Sequence, residues 1–510
     1  FTAAVVDAAH PILAGLEPFD VRDDTSVHTQ HNTSGRTVLM ERVDDSGREP
    51  WTWVRTHGSG RVFYTAYGHD ARVWSHPGFH RLMRNAITWA VGPQVAAQLA
   101  ALNLQPVPLT APLVPIPNYE RRPEAPLYQQ PLSPAEAFKH IQVPPGFELQ
   151  LFASEPLVTG NPIAMTWDAR GRLWIAETRD YPNTVAPPGQ GNDVIRILED
   201  TNGDGRADRA TTFADRLNVV SSLVLVDDGV IVSQAGELVV LSDTNGDDRA
   251  DARRTLIRGF GTRDTHALAS NLRYGLDNQI WGVVGYSGFN GTVGGEAHNF
   301  NQAIYRFTRD GRRLEHMATF TNNMWGLGFN ETFDVFGSTA NGEHSVHVAI
   351  PHPYYRHVAG LRGDGKRKID GHYAMHPNTP RMRQVDVHGG FTAAAGHSFY
   401  TARSFPQEYW NRVAFISEPT GRLIHRAIVE RKGSGFAERD GWNVAASDDE
   451  WFAPVHAEVG PDGALVDHAG VDLPAGQVRP QTGGKGRVLA VIGKAGSGKT
   501  LLLAELTKAL

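Results

Sequence analysis

The densest group of residues able to do chemistry lies in the segment "GTRDTHALASNLRYGLDNQIWG". Asp264 stands two residues before His266, and a carboxylate beside an imidazole can hold one tautomer so that the ring acts as a general base. Asn271 and Arg273 follow in the same segment and add an amide and a guanidinium. The alternative is a histidine that is hydrogen-bonded within a structural turn, which a lone Asp-x-His leaves open.

Two acidic loops, "DTNGDGRAD" and "DTNGDDRAD", repeat almost unchanged and suggest hard-metal chemistry. Their oxygen-bearing side chains have the spacing of a calcium loop, so we predict two structural Ca²⁺ sites. The final Glu of that pattern is replaced by Thr211 and Arg254, and Asp248 stands where a sharp turn favours Gly. The alternative is a polar turn without metal. The predicted ligands are Asp200, Asn202, Asp204 and Asp208 in the first loop, and Asp243, Asn245, Asp247 and Asp251 in the second.

Near the C-terminus, "GKAGSGKT" matches a phosphate-binding loop between the strand-like "RVLAVI" and the helix-like "LLLAELTKAL". Such a loop would bind ATP with Mg²⁺ through Gly493, Gly498, Lys499 and Thr500. The acidic and water-positioning groups that a hydrolase also needs do not follow before Leu510. We therefore hypothesise a junction within residues 466–485 that joins a truncated domain to the first βα unit of a nucleotide-binding domain.

Composition excludes several classes of function. A net charge of −6 provides no basic surface for nucleic acid. No apolar run is long enough to insert directly into a membrane. The absence of cysteine excludes thiolate chemistry and covalent haem attachment within these residues. The chain opens without Met or a signal peptide, so we expect its start to lie inside a longer protein.

Changes in the character of the sequence divide the chain into four segments. Residues 1–95 alternate strand-like and helix-like runs and predict a partial α/β domain, and the proline-rich residues 96–134 predict an extended linker. Residues 135–468 repeat one strand signal about every 50 residues, which is typical of a β-propeller. The predicted fold is therefore mainly β, with six blades of which the last is incomplete, followed by a linker and the phosphate-loop unit in 469–510.

The propeller segment contains the motifs "PPGFELQLFASEP", "GRLWIAETRDYPN", "DTHALASNLRYGLDNQIWG", "NNMWGLGF" and "DDEWFAPVHAEVGPDGAL". Through these motifs it resembles the glucose/sorbosone-dehydrogenase-like domain of planctomycete and verrucomicrobial multidomain proteins labelled membrane-bound dehydrogenases or haem-binding proteins. The resemblance implies pyrroloquinoline quinone (PQQ) in a funnel, with His266 as the base. Asn271, Arg273, Asn323 and Trp325 would contact the cofactor. Where the related sugar dehydrogenases have Arg-Asn, this chain has Asn322-Asn323.

The same resemblance implies a sugar or alcohol substrate, a periplasmic location and a haem domain as electron acceptor. His397 and His456 are further candidates for the funnel, although we expect both to be structural. The N-terminal segment resembles a ThuA-like domain through "HPILAGLEPFDVRDD" and "GSGRVFYTAYGHDARVW". This resemblance implies a flavodoxin/amidotransferase-like α/β fold. Two alternatives to a quinone-dependent dehydrogenase stay open: a carbohydrate-binding or scaffold propeller without catalysis, and ATP binding through Lys499.

Overall fold

A computed structural model describes most of the chain, which divides into two compact units, Phe1–Gln105 and Pro106–Gly496. No helix in the described ranges is long and apolar enough to cross a membrane. The described residues are 1–30, 32–45, 47–58, 60–93, 97, 101, 107, 109–111, 127–144, 147–182, 185–361, 365–372, 374–379, 394–470 and 488–494.

The first unit packs a helix against a four-stranded antiparallel sheet. Helix α2 begins with His76 accepting a hydrogen bond from the Gly78 amide at 3.0 Å, and it buries Phe79 and Leu82. Tight turns join the long strands into hairpins, which permits only antiparallel pairing, so the described strands lack the parallel pairs of the expected flavodoxin-like class. The elements are β1 (Ala4–Val5), β2 (Arg36–Asp44), β3 (Gly47–His57), β4 (Gly60–Thr65), α1 (Ala71–Trp74) and α2 (Pro77–Val91).

The second unit is mainly β, with propeller-like sheets. It starts with β5 (Leu109–Thr110), β6 (Tyr128–Gln129), α3 (Pro134–Lys139), β7 (Ile141–Gln142) and β8 (Phe147–Ser154). Sheet one contains β9 (Asn161–Trp167), β10 (Leu173–Thr178), β11 (Asp193–Glu199) and β12 (Arg209–Leu217). Sheet two contains β13 (Ser222–Val226), β14 (Gly229–Gln234), β15 (Glu237–Ser242) and β16 (Ala252–Arg258). Sheet three contains β17 (Ala269–Tyr274), β18 (Ile280–Val284), β21 (Ala303–Phe307) and β22 (Leu314–Thr319), with the separate hairpin β19 (Phe289–Val293) and β20 (Glu296–Phe300).

The remaining sheets follow the same antiparallel order. Sheet four contains β23 (Met324–Phe329), β24 (Val335–Thr339), β25 (Val346–Val348) and β26 (Lys366–Lys368), with α4 (His352–Tyr355) after β25. Sheet five contains β27 (Ala395–Phe399), β28 (Val413–Glu418), β29 (Leu423–Lys432) and β30 (Gly435–Ser447), and β7 pairs with β30. Sheet six contains β31 (Ala453–Val459), β32 (Leu465–Gly470) and β33 (Val488–Lys494), and β8 pairs with β33.

Apolar β-branched residues explain why the middle strands form. Ile231 of β14 pairs with Val224 on one side and Val240 on the other, and all three are buried. Such side chains favour the pleated backbone because they pack well against cross-strand neighbours. Burying each one contributes about 1.5–3 kcal/mol. Neighbouring sheets cover both faces of this strand, so its apolar residues run continuously instead of alternating with polar ones.

The first strands of the six sheets contact one another in a closed sequence. Each of β9, β13, β17, β23 and β27 contacts the first strand of the next sheet, and β31 contacts β9. The connections that lead into these strands therefore lie on one rim. This arrangement brings loops that are far apart in the chain to a shared opening.

Sheet six differs from the incomplete last blade that the sequence predicted. Strand β8, from before sheet one, supplies an outer strand, and β33 fills the position between it and β32. The run "RVLAVIG" was assigned to a separate nucleotide-binding unit, yet its strand pairs inside this sheet. An apolar strand satisfies its backbone groups in any sheet that offers a free edge, so its pattern could not identify its partner.

Candidate active site

Two connections on the shared rim carry Asp264, His266 and Asn323, three of the residues predicted to do chemistry. One is the short 3-10 turn Thr265–Ala267 before β17, and the other is the Asn322-Asn323 pair before β23. Strands β17, β23, β27 and β31 continue from the rim into the ring and bring further polar side chains. The site is built from these two connections and four strands.

His266 is held beside Asp264 within the 3-10 turn. The Asp264 side chain accepts a hydrogen bond from the His266 amide at 2.9 Å and caps the turn. The same carboxylate oxygen lies 3.1 Å from Nδ1 of the His266 ring. The ring contacts Tyr181 edge-on, with centroids 5.2 Å apart, and the side chain is 55% exposed. Asp264 thus fixes Nδ1, and the other ring nitrogen, Nε2, points away from this carboxylate.

Asn323 connects the His266 turn to sheet four. Its Nδ2 donates to the His266 carbonyl at 3.0 Å, and its Oδ1 accepts from the Tyr286 amide at 3.2 Å. The Tyr286 hydroxyl in turn donates to the Asn322 side chain. A side chain at Gly285 would place its Cβ 1.8 Å from Asn323 Oδ1, so glycine is needed there. Both the nitrogen and the oxygen of the Asn323 side-chain amide bind backbone groups, so this residue positions the turn.

Asn271 and Trp325 join β17 to β23 deeper in the site. Asn271 has a left-handed backbone with φ of 52°, and its Nδ2 donates to the Trp325 carbonyl at 2.7 Å. Its Oδ1 and the Trp325 Nε1 are buried and have no hydrogen-bond partner within the described residues. A buried polar atom without a partner is costly, so this pair retains one acceptor and one donor suited to a ligand.

Arg273 links β17 to β27 and β31 through contacts with Ser398, His456 and Glu458, which the sequence did not predict to lie together. Its Nη2 donates to Ser398 Oγ at 2.8 Å and lies 3.2 Å from His456 Nε2. Its Nη1 lies 3.9 Å from the Glu458 carboxylate. Burial and the nearby guanidinium lower the pKa of His456. Burial opposes ionisation of Glu458, yet its contacts with His456 and Arg273 lower its pKa overall.

Ser398 and Glu458 are the members of this site that sequence analysis missed. Neither lies in a recognisable motif, and they come from sheets five and six. The signal that could have found Glu458 is its position two residues after His456, on the same face of a strand. His397, the neighbour of Ser398, lies apart from this group: its Nε2 is 2.7 Å from Ser345 Oγ, and it is fully buried.

The two acidic loops form the turns of the β11–β12 and β15–β16 hairpins, with nearly identical geometry. Asp200 accepts from the amides of Gly203 and Gly205, each at 2.7 Å. Asp243 accepts from the Gly246 amide at 2.7 Å and the Asp248 amide at 2.8 Å. These amide contacts outweigh desolvation and lower the pKa of both carboxylates. Within each loop, the oxygens of the first and third residues therefore point inward.

The predicted phosphate loop lies mostly outside the described residues. Gly493 is part of β33 and faces Glu148 of β8 in the strand register. Gly498, Lys499 and Thr500 are not described. The strand before the motif is therefore present, but in sheet six of the propeller-like unit.

The chain is similar to solved structures of several enzymes at low identity. An oxidoreductase (glucose dehydrogenase) from Thermus thermophilus is 17% identical, with 68% of this chain and 100% of that chain covered and a TM-score of 0.43. The PQQ-bound aldose sugar dehydrogenase from Streptomyces coelicolor is 14% identical, covering 69% and 99%, with a TM-score of 0.42. A luciferin-regenerating enzyme is 9% identical, covering 69% and 97%, with a TM-score of 0.43.

Family models match both segments for which a family was expected. The model for trehalose utilisation (ThuA) matches residues 1–90, which confirms the predicted ThuA likeness. A search of curated protein sequences found no match. The model described as a domain of unknown function (DUF7133) matches residues 133–467, more than half of the chain. The chain therefore belongs to the DUF7133 family, with a ThuA-type segment before that domain.

Proposed function

We propose that this protein is a quinone-dependent dehydrogenase that oxidises a sugar or another alcohol at the rim of a six-bladed propeller. The observation that carries the proposal is the direct linkage of the predicted residues. Asn323 binds the His266 turn, and Asn271 binds the Trp325 backbone. The segment that leads into and includes β17 is thereby joined to the segment that leads into and includes β23, beside an exposed imidazole.

The residues present fit a flat quinone that carries several carboxylates. Arg273 Nε is a buried donor without a partner among the described residues, and Asn271 Oδ1 is a buried acceptor in the same condition. Arg273 would bind a carboxylate, the Trp325 ring would stack on the quinone, and Asn271 would bind a ring N–H. When bound, such a quinone takes up the hydride of the substrate.

His266 would remove the proton in this reaction. Nε2 of His266 would accept the O–H proton of the alcohol as the C–H hydride leaves for the bound quinone, so that a carbonyl product would remain. Asp264 holds Nδ1 at 3.1 Å and would stabilise the imidazolium that forms. The exposed ring meets the substrate from the solvent side, while Arg273, Trp325 and Asn271 lie deeper.

One feature favours the alternative of a carbohydrate-binding ring without catalysis. Asn322 stands where the related dehydrogenases have Arg, so the site offers Arg273 as its principal cation. The nearby Glu458 carboxylate, 3.9 Å away, already offsets part of that charge. A tricarboxylate would therefore bind more weakly than in a site with two guanidinium groups.

Dye reduction by the purified protein tests the proposal. The protein would be incubated with PQQ and Ca²⁺ and assayed against a panel of sugars and alcohols, with His266→Gln as the test variant. His69→Gln is a matched control because its Nδ1 also lies 3.2 Å from a carboxylate, Asp24, and its side chain is also exposed. We expect activity in the wild type and the control only. PQQ-dependent activity that survives His266→Gln would remove His266 from the mechanism.

Sugar binding without PQQ-dependent activity would support the carbohydrate-binding alternative.

We further propose that the two acidic loops bind Ca²⁺ as structural sites. The inward-facing oxygens of Asp200 and Asn202, and of Asp243 and Asn245, support this role. Calcium would stiffen the two hairpin turns at a distance from the oxidation chemistry.

A further inference from the structure

A cluster of four residues between sheets four and five, three of them buried and one partly exposed, is not used by the proposed dehydrogenase. It consists of His344, His372, His425 and Glu438, which we call the three-histidine cluster. One ligand atom from each residue lies within 4.8 Å of the corresponding atom of every other. His344 and His372 come from the connections after β24 and β26, whereas His425 and Glu438 lie on β29 and β30. The cluster therefore joins two neighbouring sheets.

The three imidazoles direct the same nitrogen towards the Glu438 carboxylate. Nε2 lies 3.5 Å from that carboxylate in His344, 3.2 Å in His372 and 3.6 Å in His425. Ligands that surround a tetrahedral zinc ion at about 2.0–2.1 Å lie about 3.3 Å from one another. Most of these separations are too long for good hydrogen bonds but match the spacing of ligands around one ion.

Groups on the far side of two rings favour the tautomer that a metal ligand needs. His372 Nδ1 lies 2.9 Å from the Ala374 carbonyl, which can only accept a hydrogen bond. His344 Nδ1 lies 3.5 Å from the Asp370 carboxylate. With the proton on Nδ1, the Nε2 lone pair faces the centre of the cluster. Carboxylate and carbonyl partners of this kind are the usual outer neighbours of metal-bound histidines.

His425 supplies an independent indication that a ligand belongs at the centre. It is 0% exposed, and neither ring nitrogen has a hydrogen-bond partner within the described residues. An imidazole buried without partners costs free energy that a bond from Nε2 to a metal would offset.

The charges in the cluster also suit a cation. Among the described residues, the Glu438 carboxylate is approached by the three imidazoles and by the Gly371 amide at 3.2 Å. The Glu438 side chain is 0% exposed. The ammonium of Lys368 lies beside Asp370, at 3.2 Å, and balances that neighbouring carboxylate instead.

We propose that the three-histidine cluster is a structural site for a divalent transition metal of the zinc class. Three imidazoles and one carboxylate select such an ion over Ca²⁺ or Mg²⁺, which prefer oxygen ligands only. Four protein ligands complete a tetrahedral shell, so the ion fastens sheet four to sheet five and leaves no position for substrate.

Metal content and thermal stability together test the site. The full chain would be treated with a strong chelator, dialysed, and titrated with Zn²⁺ alone, and bound metal would be measured by elemental analysis. We expect one tightly bound Zn²⁺ per chain and a rise in Tm on its return, because an ion that binds only the folded state stabilises it. Binding of Co²⁺ with the absorption of a tetrahedral site would support the same ligand set.

Two variants identify the ligands. His425→Gln and Glu438→Gln should each weaken Zn²⁺ binding about 100-fold or more, since each removes a direct ligand. His347→Gln is the matched control. His347 is also buried and lies on β25, three residues after His344 in the sequence, and its ring packs on Phe336 and Phe436. Circular dichroism would establish that each variant folds. Folded wild type that binds no Zn²⁺, or binding that is equal to wild type in both ligand variants, would overturn the proposal.

Discussion

The His266 turn and the three-histidine cluster both combine histidine with a carboxylate, but we propose proton transfer for the first and metal binding for the second. His266 has one carboxylate partner two residues away, and its side chain is 55% exposed. His425 shares one carboxylate with two other imidazoles and is 0% exposed. An exposed ring fixed at one nitrogen can exchange protons with a substrate, whereas a buried ring among other imidazoles can only hold something in place. Burial and the number of partners therefore separate the two roles.

Measuring both the rate of dye reduction and the Tm in one variant of each site gives the strongest test of this comparison. His266→Gln should lower the rate of dye reduction about 100-fold or more, which is the usual contribution of a general base. Its Tm should stay the same because the ring is largely exposed. Glu438→Gln should do the reverse, with a lower Tm and an unchanged rate at a temperature where the variant is folded. Parallel assays of kcat and Tm check this, and equal losses of both in either variant would contradict the separation.

The residues proposed for the His266 site could be selected from the sequence because they are close together in short segments. Asp264 and His266 are two residues apart, and Asn271 and Arg273 follow on the next strand. A repeated strand signal also predicted the propeller-like sheets. The placement of β8 and β33 in one sheet could not be predicted, because pairing between distant strands leaves no local pattern.

The three-histidine cluster shows the same limit for sites. Its residues are spread from His344 to Glu438, and no two of them have a recognisable ligand spacing. Only the contact between sheets four and five brings them together. His344 and His372 lie in connections rather than strands, so the strand periodicity gave no information about the direction of their side chains.

Replacing Arg273 tests whether its contacts hold the inner part of the rim site in place. Arg273→Gln removes the contacts to Ser398 and Glu458 and leaves Glu458 without its cation. Breaking a pair that is partly buried should lower the free energy of unfolding by about 2 kcal/mol. The affinity for PQQ should fall as well, whereas Zn²⁺ binding should not change. Denaturant unfolding and two ligand titrations check this, and a variant with unaltered PQQ affinity would remove Arg273 from the cofactor site.

Asp370 sharpens the description of the metal cluster. Asp370→Asn keeps the size of the side chain but weakens its hold on His344 Nδ1. We expect Zn²⁺ affinity to fall about 10–100-fold with the stoichiometry unchanged, as is usual for an outer partner of a metal ligand. Asp334→Asn is the control, because its carboxylate lies 4.0 Å from His347, which is outside the cluster. An unchanged affinity in Asp370→Asn would mean that His344 is oriented by other groups.

A third histidine environment predicts a dependence of stability on pH. Burial, and then the ring of His352 with its centroid 4.6 Å away, lower the pKa of His316 to about 4. The unfolded chain therefore binds this proton more readily, so the contribution is complete above pH 6.5 and is lost as pH falls towards 4. We expect a loss of about 2 kcal/mol over this range. His316→Gln should flatten this part of the profile in denaturant unfolding, and a slope equal to that of the wild type would assign the dependence to other groups.

The two acidic loops give the finest comparison, because they differ at one turn position. Gly205 has φ of 84°, and Asp248 adopts φ of 61°, a left-handed conformation that costs most side chains about 1 kcal/mol. Asp248 also accepts a hydrogen bond from Arg172 at 2.8 Å, which partly offsets that strain. Asp248→Gly should therefore change the unfolding free energy by less than about 0.5 kcal/mol, since relief of strain and loss of a half-exposed ion pair oppose each other.

If the loops bind Ca²⁺, the same variant should raise the affinity of the second loop towards that of the first, because glycine permits the sharper turn that the ligands require. Calorimetric titration with Ca²⁺ measures both loops at once, and a lower affinity in the variant would show that Arg172 orders the second loop more than the strain disturbs it.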